Sequence, residues 1–232
     1  MFTPKLLRKE NLVADIWSFT FEVPHHFEWQ GGQHVVVILE HPNPDSRGTA
    51  RALSIATAPF EKSLVLITHC PDEGSSFKYA LRDLKLGATV QMTPPQASFH
   101  ADFTGEPTVI VAGGVGAVAI RSMLMDADHQ GTSISCRLAY YAPSNQHLFK
   151  DDFELLAKKQ PGFSVQYLID ENLQEVGALK ETEDRSAGHY YFSGVYAREV
   201  VSAEELQAPV SESSSEARKE VERLAKMSGL VH

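Results

Sequence analysis

The sequence predicts two domains of different class: an N-terminal antiparallel β-barrel over residues 1–104, then an α/β domain built on a parallel sheet over residues 105–232. Two observations carry that expectation. Up to about residue 100 the chain falls into short segments rich in β-branched and aromatic residues, divided by turn signals and free of long amphipathic helices. Several strands at that spacing suggest a closed or nearly closed barrel. From Pro107 strand-like and helix-like segments alternate, which implies parallel strands joined by crossover helices. The composition agrees: 232 residues, 43% hydrophobic and 22% charged, fit one large or two modest globular domains.

In the first half the expected strands are DIWSFTFEV (15–23), QHVVVILE (33–40), RALSIATA (51–58), SLVLITHC (63–70) and ATVQMT (88–93). Turn signals PHH, QGG, HPNPDSRG, PDEGSS and LKLG lie among them. SSFKYALRDL is the one expected helix, with Ser75 or Ser76 as N-cap and Phe77, Leu81 and Leu84 spaced for a buried face. The second half offers strands in TVIVAGG, SISCRLAYYA, FSVQYLI and HYYFSGV, and helices in GAVAIRSMLMDADHQG and FKDDFELLAKKQPG. The boundary falls between Phe103 and Pro107. Residues 170–188 read as a loop with one helical turn, and EARKEVERLAKMSG as a closing helix that ends at Gly229.

A net charge of −9 argues against a nucleic-acid groove or an anionic membrane surface as the main partner, because both reward clustered Lys and Arg. No apolar run approaches the roughly 20 residues of a membrane helix. The opening MFTPKLLRKENL has no apolar stretch behind its basic residues, so a cytoplasmic protein is expected. Cys70 and Cys136 lie in separate strand-like segments without a CxxC, which argues against a disulfide framework, a structural zinc or an iron–sulfur cluster. Redox chemistry would then need a bound organic cofactor. The ten histidines show no metal-ligand spacing, and His25 and His26, read as adjacent in an extended stretch, would point to opposite faces. Ser54 is outside any G-x-S-x-G elbow, so hydrolase chemistry is not expected.

Three segments could hold an anion. Gly113-Gly114-Val115-Gly116 follows the apolar strand Val109 to Ala112 and precedes an apolar helix. Glycine permits tight turns and close approach, and a helix start presents free N–H groups to a pyrophosphate. Ala119 would complete G-x-G-x-x-G/A, but the acidic ribose ligand expected about 20 residues on is missing, and a plain strand-to-helix turn remains the alternative. Arg51-Ala52-Leu53-Ser54 opens a strand, and three extended residues span roughly 10 Å, enough to link a flavin phosphate to its ring. Arg51 suits phosphate through its planar, permanently charged fork; the alternative is a surface arginine beside a strand serine. Gly74-Ser75-Ser76 opens the first-half helix as a second phosphate seat or an ordinary N-cap. Tyr140 and Tyr141 end a strand near the expected adenosine site, with core packing as the alternative.

The order of these motifs resembles the ferredoxin-NADP reductase superfamily from about Pro4 to Val195. Arg51, Leu53, Ser54 and Thr57 are similar to its flavin motif, Gly74 to Ser76 to its glycine-serine phosphate segment, and Gly113 to Gly116 to its nicotinamide-nucleotide turn. Gly32-Gln33, Leu86-Gly87, the run Arg121 to Leu124 and the segment Gln146 to Leu155 add to the likeness. The resemblance implies FAD, or FMN in its place, in the barrel, NADPH or NADH in the sheet domain, and hydride transfer to flavin N5 where the halves meet. Arg51 would bind the flavin phosphates, Ser54 would sit by N5, and Leu53 would pack on the ring. Ile67, Thr68 and His69 would pass the ribityl and phosphate region, and the helix start at Ser75 and Ser76 favours the pyrophosphate of FAD.

The chain departs from the family pattern at three places. Val118 and Ala119 stand where Thr-Pro is usual, Ser193-Gly194-Val195 stands for Cys-Gly-Pro, and Pro94-Pro95-Gln96-Ala97-Ser98 lacks the glycines of the turn after the barrel. Ser193 would take over at the nicotinamide, with slower hydride transfer. Ser144 and Asn145 could reach a 2′-phosphate, which leaves NADPH and NADH open. The implied function is an NAD(P)H-dependent flavoprotein reductase that passes electrons to a flavin, a ferric complex or a protein carrier. The alternative is a non-catalytic flavin-binding relay subunit with a drifted nicotinamide site.

Overall fold

The computed structural model describes residues 1–96, 101–103 and 108–169, together with the backbone of 189–193. The chain divides into two compact units, the first running from Met1 to Phe99 and the second starting at His100. The expected boundary at 104/105, the loop at 170–188 and the closing helix all lie outside the described residues.

The first unit contains β1 (Leu6–Val13), β2 (Ile16–Phe21), β3 (His34–Ile38), β4 (Ala50–Ser54), β5 (Leu64–His69), the helix α1 (Ser76–Asp83) and β6 (Gln91–Met92). Its strands form two antiparallel three-stranded sheets, ordered β1-β2-β5 and β4-β3-β6. Isolated bridges join them: Ile55 to Leu66 at one seam, and Phe2 to Met92 and Lys5 to Thr89 at the other. Followed round, the strands return to their start, so the expected antiparallel barrel is present. Closed sheets remove edges, which protects a small β unit from pairing with other chains. Here the seam at β4 is held by one bridge, at the strand's end, and Ala50–Ser54 pairs with β3 along one side.

Alternation sorts the strand residues. Phe19, Phe21, Val35, Val37, Leu53, Ile55, Leu64, Leu66 and Met92 share one apolar core, as the period of two along each strand demands. The helix α1 joins that core through Phe77 and Leu81, with Leu84 packed at its margin, and Ser75 is its N-cap. β1 is a strand that the sequence reading did not anticipate. Its residues Arg8–Asn11 are exposed or half-buried and Leu6 is its one buried residue, so it lacks the apolar alternation that marks the others. His25 and His26 occupy a turn closed by the Phe27 amide on the Pro24 carbonyl, with His26 at φ +62°. Their rings lie 4.0 Å apart, which corrects the extended, opposite-facing reading.

The second unit contains β7 (Thr108–Gly113), α2 (Ala117–His129), β8 (Cys136–Tyr141), α3 (Lys150–Lys159), β9 (Phe163–Leu168) and β10 (His189–Ser193). The four strands are parallel in the order β10-β7-β8-β9. All six residues of β7 are buried, the mark of a central parallel strand covered on both faces. The helices α2 and α3 are tied by Arg121 Nε donating to Asp152 Oδ2 at 2.8 Å. At their far ends Lys159 and Gln160 both donate to Asp128. Gly162 leads into β9 through a place with no room for a side chain, since a Cβ there would lie 2.5 Å from the Ile134 carbonyl oxygen.

Phe19 sits in the middle of β2 at 0% exposure. Phe19→Ala is expected to lower the unfolding free energy by about 3–5 kcal/mol, the usual range for truncating a buried aromatic, as measured by urea denaturation of the whole chain.

Candidate functional site

Arg51 is on the edge strand β4, opposite Val37. Its side chain is only 12% exposed and its guanidinium lies over the Phe77 ring, 5.2 Å from the centroid. One terminal nitrogen donates to Asp45 Oδ1 and Oδ2 at 2.9 and 3.1 Å, and the other to the carbonyls of Arg47, Gly48 and Ala50. Its Nε is buried with no hydrogen-bond partner. Burial lowers the Arg51 pKa from its ordinary value, and Asp45 works against that. For Asp45, burial would raise the carboxyl; hydrogen bonds from Arg47 and the charge of Arg51 outweigh it and hold the group below the usual carboxylate range.

The start of α1 lies in the same region. Ser75 Oγ accepts the Lys78 amide as an N-cap, and the Gly74 amide donates to the Tyr79 hydroxyl. Ser76 Oγ accepts the Asp45 amide at 2.9 Å and meets His41 Nε2 at 2.9 Å. Lys78 sits one turn into the helix, with its ammonium donating to Thr68 Oγ1. Burial pushes the Lys78 pKa down to about 8, Cys70 opposing and Arg51 and Arg47 reinforcing the shift. Two half-buried cations, Arg51 and Lys78, therefore lie near one another and near a helix start, and Asp45 pairs with Arg51 and with Arg47 at the surface. Helix starts and cation clusters of this kind hold phosphate.

The other barrel residues are distributed less simply. Ser54 and Ala52 share the face of β4 opposite to Arg51 and Leu53, as strand alternation requires. A ligand reaching both Arg51 and Ser54 must therefore lie across the open edge of β4. Leu53, 6% exposed, belongs to the barrel core, which corrects its reading as a surface for a ring. Ile67 and Thr68 are buried on β5, and His69 Nε2 pairs with Asp15 Oδ1 at 2.8 Å. These donors fit a phosphorylated flavin at Arg51, Lys78 and the start of α1. The open edge at Ala52 and Ser54 is compatible with its ring.

In the second unit the glycine turn follows β7 directly. Gly114 takes φ +52°, a conformation that disfavours side chains, and Gly114–Gly116 form a 3-10 turn that runs into α2. No side chain caps α2, and no acidic residue lies in its first turn. Chain order reverses across β7, since β8 lies on one side and β10 on the other. Ligands of open parallel sheets bind at such a switch point, beyond the carboxyl ends of the strands. Ser193, the last residue of β10, is in register with Ala112, just before the turn. Ser144 is exposed past the end of β8. All the sheet residues expected at a nucleotide thus occupy one end of the sheet. Val118 and Ala119 are buried in α2, so apolar packing takes the place of the family's hydroxyl.

Tyr140, at 1% exposure, is a core residue with a second duty. Its hydroxyl lies 3.2 Å from the Gly114 carbonyl, to which it donates, and it accepts the Leu148 amide at 3.1 Å. One buried oxygen thus ties the glycine turn to the segment after β8. Asp45, His41 and Lys78 were not among the expected site residues, and Tyr140, read as either near an adenosine site or in the core, is in the core. The first two belong to a loop 31 to 35 positions from Ser76, a distance that leaves no local pattern. Lys78 carried a usable signal, being two residues past Ser76 at a helix start. Among the described residues no three His, Cys, Asp or Glu side chains are grouped to hold a metal.

Lys78 is charged below about pH 8 and neutral above, so a non-titrating dianion should bind the barrel unit more weakly as the pH rises through that value. Isothermal titration with sulfate is expected to show the decline, and Lys78→Met to abolish it. Tyr140→Phe leaves the Gly114 carbonyl and Leu148 amide without their shared partner. It is expected to cost about 1–3 kcal/mol by urea denaturation, with faster hydrogen exchange at Leu148.

No protein-family model matches the chain. Among curated proteins it is 24% identical over 186 residues to a flavohemoprotein of Rhodopirellula baltica, covering 70% of this chain and 45% of that one. It is 28% identical over 134 residues to ferredoxin–NADP reductase B of Sorangium cellulosum, covering 57% and 54%. The chain thus spans about half the length of the curated relatives it matches. In fold it matches a mutant ferredoxin–NADP+ reductase from Plasmodium falciparum with a TM-score of 0.71 at 14% identity, covering 92% of this chain and 93% of that one. Phthalate dioxygenase reductase follows at a TM-score of 0.64 and 22% identity, over 82% and 60%. Among the described residues no helix is long and apolar enough to cross a membrane. The motif order, the barrel followed by a parallel sheet and these likenesses agree: the chain has the fold of ferredoxin–NADP reductase-like proteins and is similar to such proteins in sequence.

Proposed function

We propose that this protein is a flavin-dependent NAD(P)H oxidoreductase that takes a hydride from a nicotinamide nucleotide and passes electrons on to a flavin, a ferric complex or a redox protein. The observation that carries the reading is the presence, in one chain, of two anion seats on two unlike folds. One is made of side chains, Arg51 and Lys78 beside the start of α1. The other is made of backbone, the Gly113–Gly116 turn at the sheet's switch point. Two nucleotides require two such seats.

In this reading FAD is held by the barrel unit and would supply the step between two-electron and one-electron chemistry. Arg51 and Lys78 neutralise its phosphates and Ser76 adds a hydroxyl. Ser54 donates to the ring edge from the opposite face of β4, while Ala52 leaves room for the ring. Gly113, Gly114, Val115 and Gly116 receive the pyrophosphate of NADPH or NADH, Ser144 reaches its adenosine end, and Ser193 stands at the nicotinamide. The protein's contribution is orientation and charge. The burial of Val118 and Ala119, where relatives of the pattern carry a hydroxyl, favours a second reading. In it the flavin is bound but receives its electrons from elsewhere.

The test is reduction of the FAD-reconstituted protein without oxygen. Bleaching of the flavin bands by NADH or NADPH supports the reductase, whereas a yellow protein that neither nucleotide bleaches supports the relay. Failure to bind FAD overturns both. Arg51→Ala is expected to weaken FAD binding about 10- to 100-fold, the worth of a charge-assisted hydrogen bond. Ser54→Ala is expected to slow reduction about tenfold with little change in affinity.

A further inference from the structure

Arg51 and Ser76, two of the side chains assigned to the flavin phosphate, are both held by one segment of their own chain. Asp45 presents both carboxylate oxygens to one terminal nitrogen of Arg51, and a carboxylate is the closest side-chain substitute for a phosphate edge. The same residue's amide occupies Ser76 Oγ. His41 takes up what remains of that hydroxyl. Its Nδ1 lies 2.7 Å from the Leu39 carbonyl, which can only accept, so Nδ1 donates, and in the neutral ring Nε2 accepts. Ser76 therefore donates to His41 while it accepts from Asp45.

We propose that Asp45 is a specificity-determining residue: its carboxylate holds the phosphate-binding edge of Arg51, and a flavin that carries phosphate must displace it. The inference rests on the assignment of Arg51 to the flavin phosphate. Three features make the displacement selective. Asp45 has an alternative partner, since Arg47 also donates to it from its amide and guanidinium, so the carboxylate is not stranded on release. It is the more exposed member of its pair with Arg51, at 27% against 12%. A phosphate brings more charge than the carboxylate it replaces and gains Lys78 besides. Riboflavin, with no phosphate, has no reason to displace Asp45 and pays nothing for its presence.

The experiment compares FAD, FMN and riboflavin binding to the flavin-free full chain by fluorescence titration, in the parent, Asp45→Asn, Asp45→Glu and Arg51→Ala. Asp45→Asn removes the competing charge and is expected to tighten FAD and FMN about two- to fivefold, as expected for a partly exposed ion pair, with riboflavin unchanged. Asp45→Glu keeps the charge and should keep the parent's preference. Thermal unfolding verifies the fold of each variant, and Asp45→Ala, expected to act as Asp45→Asn does, replaces it should that variant not fold. If Asp45→Asn weakens FAD or leaves it unchanged while Arg51→Ala still loses it, Asp45 orients Arg51 and the competition is refuted. Equal tightening of riboflavin also refutes it. If Arg51→Ala retains full FAD affinity, the phosphate assignment itself fails.

Discussion

A guanidinium drawn out of water and laid over an aromatic ring must find negative charge and acceptors close by, because an uncompensated buried cation costs several kcal/mol. Arg51 is in that position, and much of the barrel unit's organisation follows from it. Its stack on Phe77 joins β4 to the helix α1. Its bonds to the Arg47, Gly48 and Ala50 carbonyls and to Asp45 shape the turn that leads into β4. The Asp45 amide in turn clips that turn to Ser76 on α1. Lys78 is a second cation placed beside the first, and the depression of its pKa reflects the cost of burying positive charge where little negative charge is supplied. A surplus of this sign is out of character for a chain of net charge −9, and it is local: the barrel unit concentrates it at the start of a helix, where backbone dipoles add to it.

The sheet unit meets the same electrostatic need by other means. At its glycine turn no side chain caps the helix that follows; the turn offers the amide groups of a strand-to-helix junction and the shape that glycine permits. Such a site is only as good as its rigidity, and rigidity there comes from beneath. The Tyr140 hydroxyl fixes the Gly114 carbonyl, and the same ring packs edge-on against His147 and Phe153. Side chains beneath the turn thus help set the shape its backbone takes.

The architecture was largely legible because its strands are regular. Alternating apolar residues in β2 to β5, and the change to strand–helix repetition after Pro107, are local signals that tertiary packing did not override. β1 escaped because its exposed residues mix Leu7 and Leu12 with Arg8 and Asn11, so its pairing with β2 left no apolar alternation in the sequence. That Arg51 and the helix start at Ser75 and Ser76 lie in one region was anticipated from motif order. Leu53 was misplaced for an instructive reason: it shares a strand face with Ile55 and lies across from Val35, and strict alternation already assigns it to the interior. The Asp45–Arg51–Ser76 arrangement was not legible at all, since it exists only once a loop folds back on a helix far along the chain.

The seams of the barrel also set the order in which it can be made. β1 and β2 are neighbours in sequence and can pair as soon as both exist, but Phe2 has to wait for Met92 and Lys5 for Thr89. A growing polypeptide leaving the ribosome therefore carries an incomplete barrel, with its apolar interior open, until the segment that holds Thr89 and Met92 has emerged. Contacts between such distant positions are slow to form, and the interval before them is when β structure is most open to wrong partners.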